Sequence, residues 1–218
     1  MKVAILLAGS GVYDGSEIYE ATLTQLYLDQ ADVAYQCIAP NISQAHVINH
    51  AQGDVAEGES RNVLVESARL CRGNILDLAD AQVADYDALI VPGGFGVAKN
   101  LCDFAFKGAE LSIVPEVKTF IQAFHQAGKV IGLECIAPVM TAAIFGAGTR
   151  CTIGQNPDIA AAVTATGAEH VPASVHDIVV DDAKKLVTTP AYNEATRIRD
   201  AAIGIEKLVN KVIELAKK

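Results

Sequence analysis

Residues 129–138 decide the fold: Lys129-Val-Ile-Gly-Leu-Glu-Cys-Ile-Ala-Pro138. The apolar run at residues 130–133 is typical of a strand that is buried on both faces. Cys135 follows almost at once, and residues 136–144 have the pattern of a helix, so no loop separates the strand from the helix. Such a corner lifts its side chain above the sheet, as a nucleophile elbow does. We therefore predict an α/β fold with a reactive cysteine at this corner.

The rest of the chain alternates strands and helices in the same way. Apolar runs predict strands at residues 3–7, 33–39, 88–91, 178–180 and 186–189, the last two as a hairpin. Helical patterns cover residues 16–30 with Ser16 as the N-cap, and then 62–70, 115–126, 159–166 and 193–215. Residues 41–60 are polar and predict a loop or a short hairpin.

Strands that are apolar on both faces and separated by helices predict a mostly parallel central sheet with helices on both faces. We expect a three-layer, flavodoxin-like α/β sandwich. No linker or repeat is visible, so we expect one domain over residues 1–218. In such folds ligands bind beyond the carboxyl ends of the strands. The site should therefore lie among residues 9–15, residues 93–96 and the Glu134-Cys135 corner.

Composition limits the classes of function. Hydrophobic residues make up 51% of the 218 residues, which indicates a folded domain, and the formal net charge of −9 disfavours nucleic acid and anionic membranes as partners. The apolar run at residues 3–8 is too short for a signal core or a membrane span. Five scattered cysteines without a Cys-x-x-Cys pair predict no disulfide framework. We expect a soluble, cytoplasmic protein.

The chemistry predicted for Cys135 follows from its position. Backbone N–H groups and the positive end of the dipole at a helix start favour thiolate over thiol. The paired glycines Gly93 and Gly94 follow a neighbouring strand, and their N–H groups could complete an anion pocket that faces the sulfur. The alternative is that Cys135 only fills space in the core, as free cysteines often do. We keep that interpretation for the other four cysteines, which have no such corner.

Two segments, residues 89–101 (Leu-Ile-Val-Pro-Gly-Gly-Phe-Gly-Val-Ala-Lys-Asn-Leu) and residues 132–138, resemble the PfpI-type superfamily, which has the class I glutamine amidotransferase-like fold. Residues 11–20, 46–50, 178–181 and 187–192 are similar to a narrower group, the ElbB-type isoprenoid-biosynthesis-associated proteins described as glyoxalases. The resemblance covers essentially the whole chain.

The resemblance implies roles for particular residues. The superfamily places a carboxylate from the first helix beside the elbow cysteine, and Glu20 matches that position better than Glu17. Glu20 would be the general acid and base and Cys135 the nucleophile, with Gly93, Gly94 and Ile136 binding the substrate oxyanion. The alternative is that Glu20 is a solvated helix residue. The family also implies a homodimer, a small aldehyde substrate and no cofactor.

Two departures from the superfamily narrow the chemistry. Ile136 stands where the PfpI-type peptidases have a histidine, and residues 151–156 lack the histidine of the deglycase-like members. This argues against peptidase activity and glutamine hydrolysis. Whether His170 or His176 reaches the pocket is left open. Alternation along the strand predicts that Glu134 faces away from the thiol.

Two further candidate sites are weaker. His46 and His50 have the i, i+4 spacing of metal ligands, but no third ligand is evident nearby, so we predict no metal site. The glycines at residues 9–15 resemble a phosphate cradle, but their spacing matches neither the dinucleotide fingerprint nor a P-loop.

Two hypotheses for function remain. The first is a cofactor-independent glyoxalase that converts glyoxal or methylglyoxal to a hydroxy acid through Cys135. The second is a non-catalytic, redox-responsive or metabolite-binding accessory protein linked to isoprenoid synthesis, because elbow cysteines of low pKa oxidise readily. A glutamine amidotransferase is a third and weaker option.

Overall fold

Strands and helices alternate along the whole chain in the computed structural model, which describes residues 1–218. The strands are β1 Lys2–Leu6, β2 Ala34–Ala39, β3 Ile48–Asn49, β4 Asp54–Val55, β5 Ile75–Asp77, β6 Ala88–Val91, β7 Val130–Glu134, β8 Arg150–Cys151, β9 Glu169–His170, β10 Val179–Asp181 and β11 Leu186–Thr189. The α-helices are α1 Ile18–Gln30, α2 Val63–Ser67, α3 Phe104–Lys107, α4 Pro115–Gln126, α5 Thr141–Phe145, α6 Pro157–Ala165 and α7 Ile198–Ala216.

Seven strands form the central sheet, in the order β10-β11-β7-β6-β1-β2-β5. All neighbours are parallel except β10 and β11, which form the predicted antiparallel hairpin. The carboxyl ends of β1, β6 and β7 therefore lie side by side in the middle of the sheet. This arrangement brings residues 7–15, 92–96 and 135 together at one edge.

Two apolar cores lie on opposite faces of the sheet, as expected for a three-layer sandwich. Along β1, Ala4 and Leu6 belong to the core under α4 and α5, whereas Val3 and Ile5 belong to the core under α1 and α7. This alternation follows from the period of two in a strand, and it explains why all four residues are fully buried. Each apolar side chain of this size stabilises the fold by about 1.5–3 kcal/mol on burial.

Several predicted boundaries were wrong. Ser16 does not cap α1; the Glu17 side chain accepts the Glu20 N–H instead, and Ser16 Oγ accepts the N–H of Ala8. The predicted helix at 136–144 is a 3-10 turn, Ala137–Met140, followed by the short α5. The last helix begins at Ile198, not at 193, after a separate 3-10 turn, Ala191–Asn193.

One short hairpin was predicted as an alternative, and one edge strand of the central sheet was not predicted. The polar stretch at 41–60 contains the hairpin β3–β4, so the hairpin alternative is confirmed. The edge strand β5 was not predicted, because its three residues are all half-buried and show no alternation. None of the helices combines the length and the apolar content that a membrane-spanning helix needs.

Candidate active site

The corner after β7 is a strained elbow, as predicted. Cys135 has φ of +56°, a left-handed conformation that costs a residue with a side chain about 1–3 kcal/mol. Its N–H donates to the carbonyl of Thr189 at the end of β11, over 3.0 Å, which holds the backbone in this conformation. Strain that the surrounding structure maintains is typical of functional sites.

The Cys135 sulfur lies among polar groups, although only 7% of the residue is exposed. The thiol donates to Asn193 Oδ1 at 3.3 Å and also interacts with the carboxyl group of Glu20. The backbone N–H groups of Gly94 and Ile136 point at the sulfur. The thiol is therefore buried, and the two N–H groups lie where they can stabilise negative charge on the sulfur.

Glu20 is held rigidly beside the thiol. The residue is fully buried in α1; its Oε2 accepts the Gly93 N–H at 2.8 Å and its Oε1 accepts the Tyr192 N–H at 3.0 Å. Glu17, the other candidate, is occupied at the start of α1, where it caps the helix. The structure therefore places Glu20, not Glu17, in contact with Cys135.

The N–H groups of the two glycines after β6 have different hydrogen-bond partners. Gly94 directs its N–H to the sulfur with φ of +95°, whereas the Gly93 N–H is already donated to Glu20. The prediction that Gly93 binds the substrate oxyanion was therefore wrong, because an N–H group donated to a carboxylate is not free for the substrate. A Cβ at Gly93 would collide with the Cβ of Cys135 and lie 2.8 Å from Glu20 Oε2, so only glycine fits between them.

Burial raises the proton affinity of both reacting groups. Burial, together with the charge of Glu17, raises the pKa of Glu20 from 4.5 to about 7. Burial and the Glu20 carboxylate raise the pKa of Cys135 well above 9.0, against the opposing effect of the Gly94 and Ile136 N–H groups. The prediction of a favoured thiolate was therefore wrong, because it omitted burial and the adjacent charge. The pair loses its first proton near neutral pH as a unit.

A second buried carboxyl group, that of Glu134, faces away from the sulfur, as alternation along β7 predicted. Its Oε1 accepts the hydroxyl of Thr24 at 2.8 Å, and its Oε2 has no hydrogen-bond partner. Burial, followed by the charge of Glu20, raises the pKa of Glu134 well above 4.5. This shift favours the neutral form of Glu134, which lowers the negative charge close to Cys135.

A cavity of about 380 Å³ opens beside the sulfur. It is lined by Val12, Gly94, Phe95, Phe104, Cys135, Ile136, Asp158, Ile159, Ala162, Tyr192 and Asn193. Tyr192 and Asn193 were not identified from the sequence, because they fall where the last helix was expected to begin. Pro190, directly before this turn, and Ala191, with φ of +44°, mark a sharp turn there.

No histidine lines this cavity. His176 lies 3.7 Å from Asp200, and His170 lies in β9 beside Cys151 of β8, so neither replaces the absent dyad histidine. His46 packs edge-on against Phe106, whereas the His50 ring contacts Tyr13 and Asp14. The chain contains no group of three or more His, Cys, Asp or Glu residues arranged to hold a metal ion.

The chain matches a known protein family. Residues 1–199 match the DJ-1/PfpI family. Human glutamine amidotransferase-like class 1 domain-containing protein 3, mitochondrial, is 45% identical over 226 aligned positions, which cover 100% of this chain and 84% of the human protein.

Solved structures give the same assignment. An isoprenoid biosynthesis protein with an amidotransferase-like domain from Ehrlichia chaffeensis has a TM-score of 0.92 and 35% identity, with 99% of both chains covered. Glyoxalase III from Candida albicans, at 15% identity and a TM-score of 0.62 over 99% of this chain and 97% of its own, shares the fold. The chain therefore belongs to the DJ-1/PfpI family, with the class I glutamine amidotransferase-like fold.

Proposed function

We propose that this protein is a cofactor-independent glyoxalase, which converts an α-oxoaldehyde such as methylglyoxal to the corresponding hydroxy acid. The observation that carries the proposal is the buried pair formed by the Cys135 thiol and the Glu20 carboxyl group. A general acid and base works best when its pKa lies near the working pH, and the pKa of Glu20 is about 7. The pair supplies a nucleophile and a proton carrier at one place.

In the first step the sulfur adds to the aldehyde carbon. The Glu20 carboxylate accepts the thiol proton as the C–S bond forms, and the carbonyl electron pair moves to oxygen. The N–H groups of Gly94 and Ile136 are positioned to hold this alkoxide. Glu20 then returns the proton to the oxygen, which gives a neutral hemithioacetal and restores the carboxylate.

In the second step Glu20 moves a proton between the two carbons of the substrate. The carboxylate removes the hydrogen of the former aldehyde carbon as a proton, which leaves an enediolate. Glu20 then returns that proton to the neighbouring carbon, while the hydroxyl proton passes from the first oxygen to the second. The product is a thioester on Cys135, in which the former aldehyde carbon is oxidised and the ketone carbon is reduced. Water hydrolyses the thioester, releases the hydroxy acid and restores the thiol.

The same geometry weakens the competing functions. Amide hydrolysis by a cysteine needs an acid to protonate the leaving amine, usually a histidine, and no histidine lines the cavity. A peroxide sensor needs an accessible cysteine of low pKa, whereas Cys135 is buried and its pKa is raised.

The test is the formation of lactate from methylglyoxal without glutathione. Wild type, Cys135→Ala and Glu20→Gln are compared at the same protein concentration. We expect turnover in wild type, none above background in Cys135→Ala, and a loss of about 10²–10⁴-fold in Glu20→Gln, the usual contribution of a general acid and base. Equal rates in all three proteins would refute the proposal.

A further inference from the structure

The cavity beside Cys135 has two chemically different walls. Apart from Asp158 at the start of α6, the polar groups come from the elbow, the Gly94 loop and the turn at residues 191–193. The other wall is built from α3 and α6, through Phe104, Ile159 and Ala162. Those three side chains offer carbon surface only, so this wall can bind a substrate by apolar contact but cannot hydrogen-bond through its side chains.

The volume exceeds what a three-carbon substrate needs. At about 380 Å³ the cavity lies within the range of about 300–1,000 Å³ that is usual for sites binding much larger molecules. Val12, Phe95 and Ile136 add further apolar surface beside the sulfur. A methyl group attached to the dicarbonyl would leave much of this surface in contact with water, and a larger apolar group would cover it.

The charges around the cavity select against anionic substrates. Asp158 is the only charged residue that lines it, and the buried carboxyl group of Glu20 contacts Cys135. No lysine or arginine lines the cavity. Lys99, whose Nζ lies 5.5 Å from the centre of the Phe95 ring, donates instead to the Tyr13 carbonyl. A carboxylate or phosphate on the substrate would find no counterion there.

We infer that the preferred substrates are α-oxoaldehydes that carry an uncharged, branched or aromatic apolar group, which occupies the wall formed by Phe104, Ile159 and Ala162. This inference rests on the proposed function and specifies its substrate class. The reaction is the same as for methylglyoxal. One substrate and one water give one hydroxy acid, and the oxidation of one carbon is matched by the reduction of its neighbour. Only the group attached to the ketone carbon changes.

The experiment compares three substrates with the wild-type protein: methylglyoxal, isobutylglyoxal and the carboxylate-bearing dioxovalerate. We expect kcat/KM for isobutylglyoxal to exceed that for methylglyoxal by at least about tenfold, since each methylene in an apolar pocket contributes about tenfold or more to selectivity. Dioxovalerate should be the poorest of the three. An equal or higher kcat/KM for methylglyoxal would overturn the inference but leave the proposed function standing, whereas turnover of none of the three would refute the proposed function itself.

A matched pair of variants on α6 tests whether this wall determines the substrate preference. Ala162→Leu fills the apolar wall, and it should lower kcat/KM for isobutylglyoxal by about tenfold more than it lowers kcat/KM for methylglyoxal. Ala161→Leu makes the same change at an exposed neighbouring position outside the cavity, and it should change neither value. A parallel loss on both substrates in Ala162→Leu would show that this wall does not select the substrate.

Discussion

Cys135 and Cys102 are both buried, yet their surroundings differ in every respect that matters for reactivity. Cys102 is 2% exposed, has a relaxed extended backbone with φ of −141°, and donates to the Val97 carbonyl at 3.2 Å. Cys135 is 7% exposed, has φ of +56°, and faces a carboxyl group, an amide and two N–H groups. Burial, opposed by the Phe104 N–H and assisted by the charge of Asp103, raises the pKa of Cys102 to about 12, and no carboxyl group is placed to take the proton of this thiol as Glu20 is at Cys135.

The comparison separates burial from function. Burial raises the pKa of both thiols, so a low thiol pKa is not what distinguishes the reactive cysteine in this protein. The difference is Glu20, whose own raised pKa lets it take the thiol proton near neutral pH. Removing or neutralising partners of Cys135 should therefore alter activity, whereas equivalent changes at Cys102 should alter only stability.

The largest expected effect comes from deleting each sulfur in turn. Cys135→Ala should reduce turnover of methylglyoxal by at least about a thousandfold, because a nucleophile that forms a covalent intermediate has no substitute. Cys102→Ala should leave kcat/KM within about twofold and lower the free energy of unfolding by about 1 kcal/mol, the usual cost of a small core deletion. Steady-state kinetics and urea denaturation measure the two quantities. A comparable loss of activity in Cys102→Ala would contradict the distinction between the two cysteines.

The next effect is on stability as a function of pH. The folded protein keeps the Glu20 proton up to about pH 7, whereas the unfolded chain loses it near pH 4.5. Between these values the folded state binds more protons, so stability falls as the pH rises, by about 3 kcal/mol for this group alone.

Glu20→Gln cannot titrate and should lack this part of the pH dependence. The difference in unfolding free energy between wild type and variant, measured by urea denaturation at pH 5 and pH 8, isolates the Glu20 contribution because the other groups titrate in both proteins. A difference that does not change with pH would mean that Glu20 has an ordinary pKa.

A smaller effect is expected at Asn193, whose Oδ1 accepts the Cys135 thiol and whose Nδ2 is buried without a partner. Asn193→Ala should lower kcat about tenfold with little change in KM, because the sulfur loses a group that orients it before attack. Asn210→Ala, at an exposed position on α7, serves as the control. A rise in KM alone would assign Asn193 to substrate binding instead.

Much of the fold could be predicted from the sequence because the central strands are apolar on both faces. Residues 88–91 and 130–133 have no other stable placement than the middle of a covered sheet. The edge strand β5 could not be found in this way, since its half-buried residues carry no periodic signal. The helix after Cys135 was overestimated because a 3-10 turn and a short α-helix share the same apolar pattern.

The main residues of the site could be predicted from the sequence more readily than their pKa values. The elbow could be predicted from the local sequence, and Glu20 from the resemblance. The different partners of the Gly93 and Gly94 N–H groups could not, because they depend on which N–H group the buried Glu20 carboxylate reaches. Asn193 comes from a turn 58 residues away in sequence, beyond any local pattern. The pKa values of Glu20 and Cys135 depend on burial by several elements at once, which no single segment reveals.

The central claim is that the Cys135–Glu20 pair loses one of its two protons near neutral pH, and that the Glu20 carboxylate can then accept the proton that remains on the thiol. The most direct measurement is the rate at which iodoacetamide alkylates Cys135, followed by mass spectrometry of the peptide from pH 5 to pH 10, with Cys102 as the internal reference. We expect the wild-type rate to rise through a midpoint near pH 7 and then level off, and this midpoint to be absent in Glu20→Gln. The same midpoint in both proteins, or a wild-type rate that rises only above pH 9, would contradict the claim.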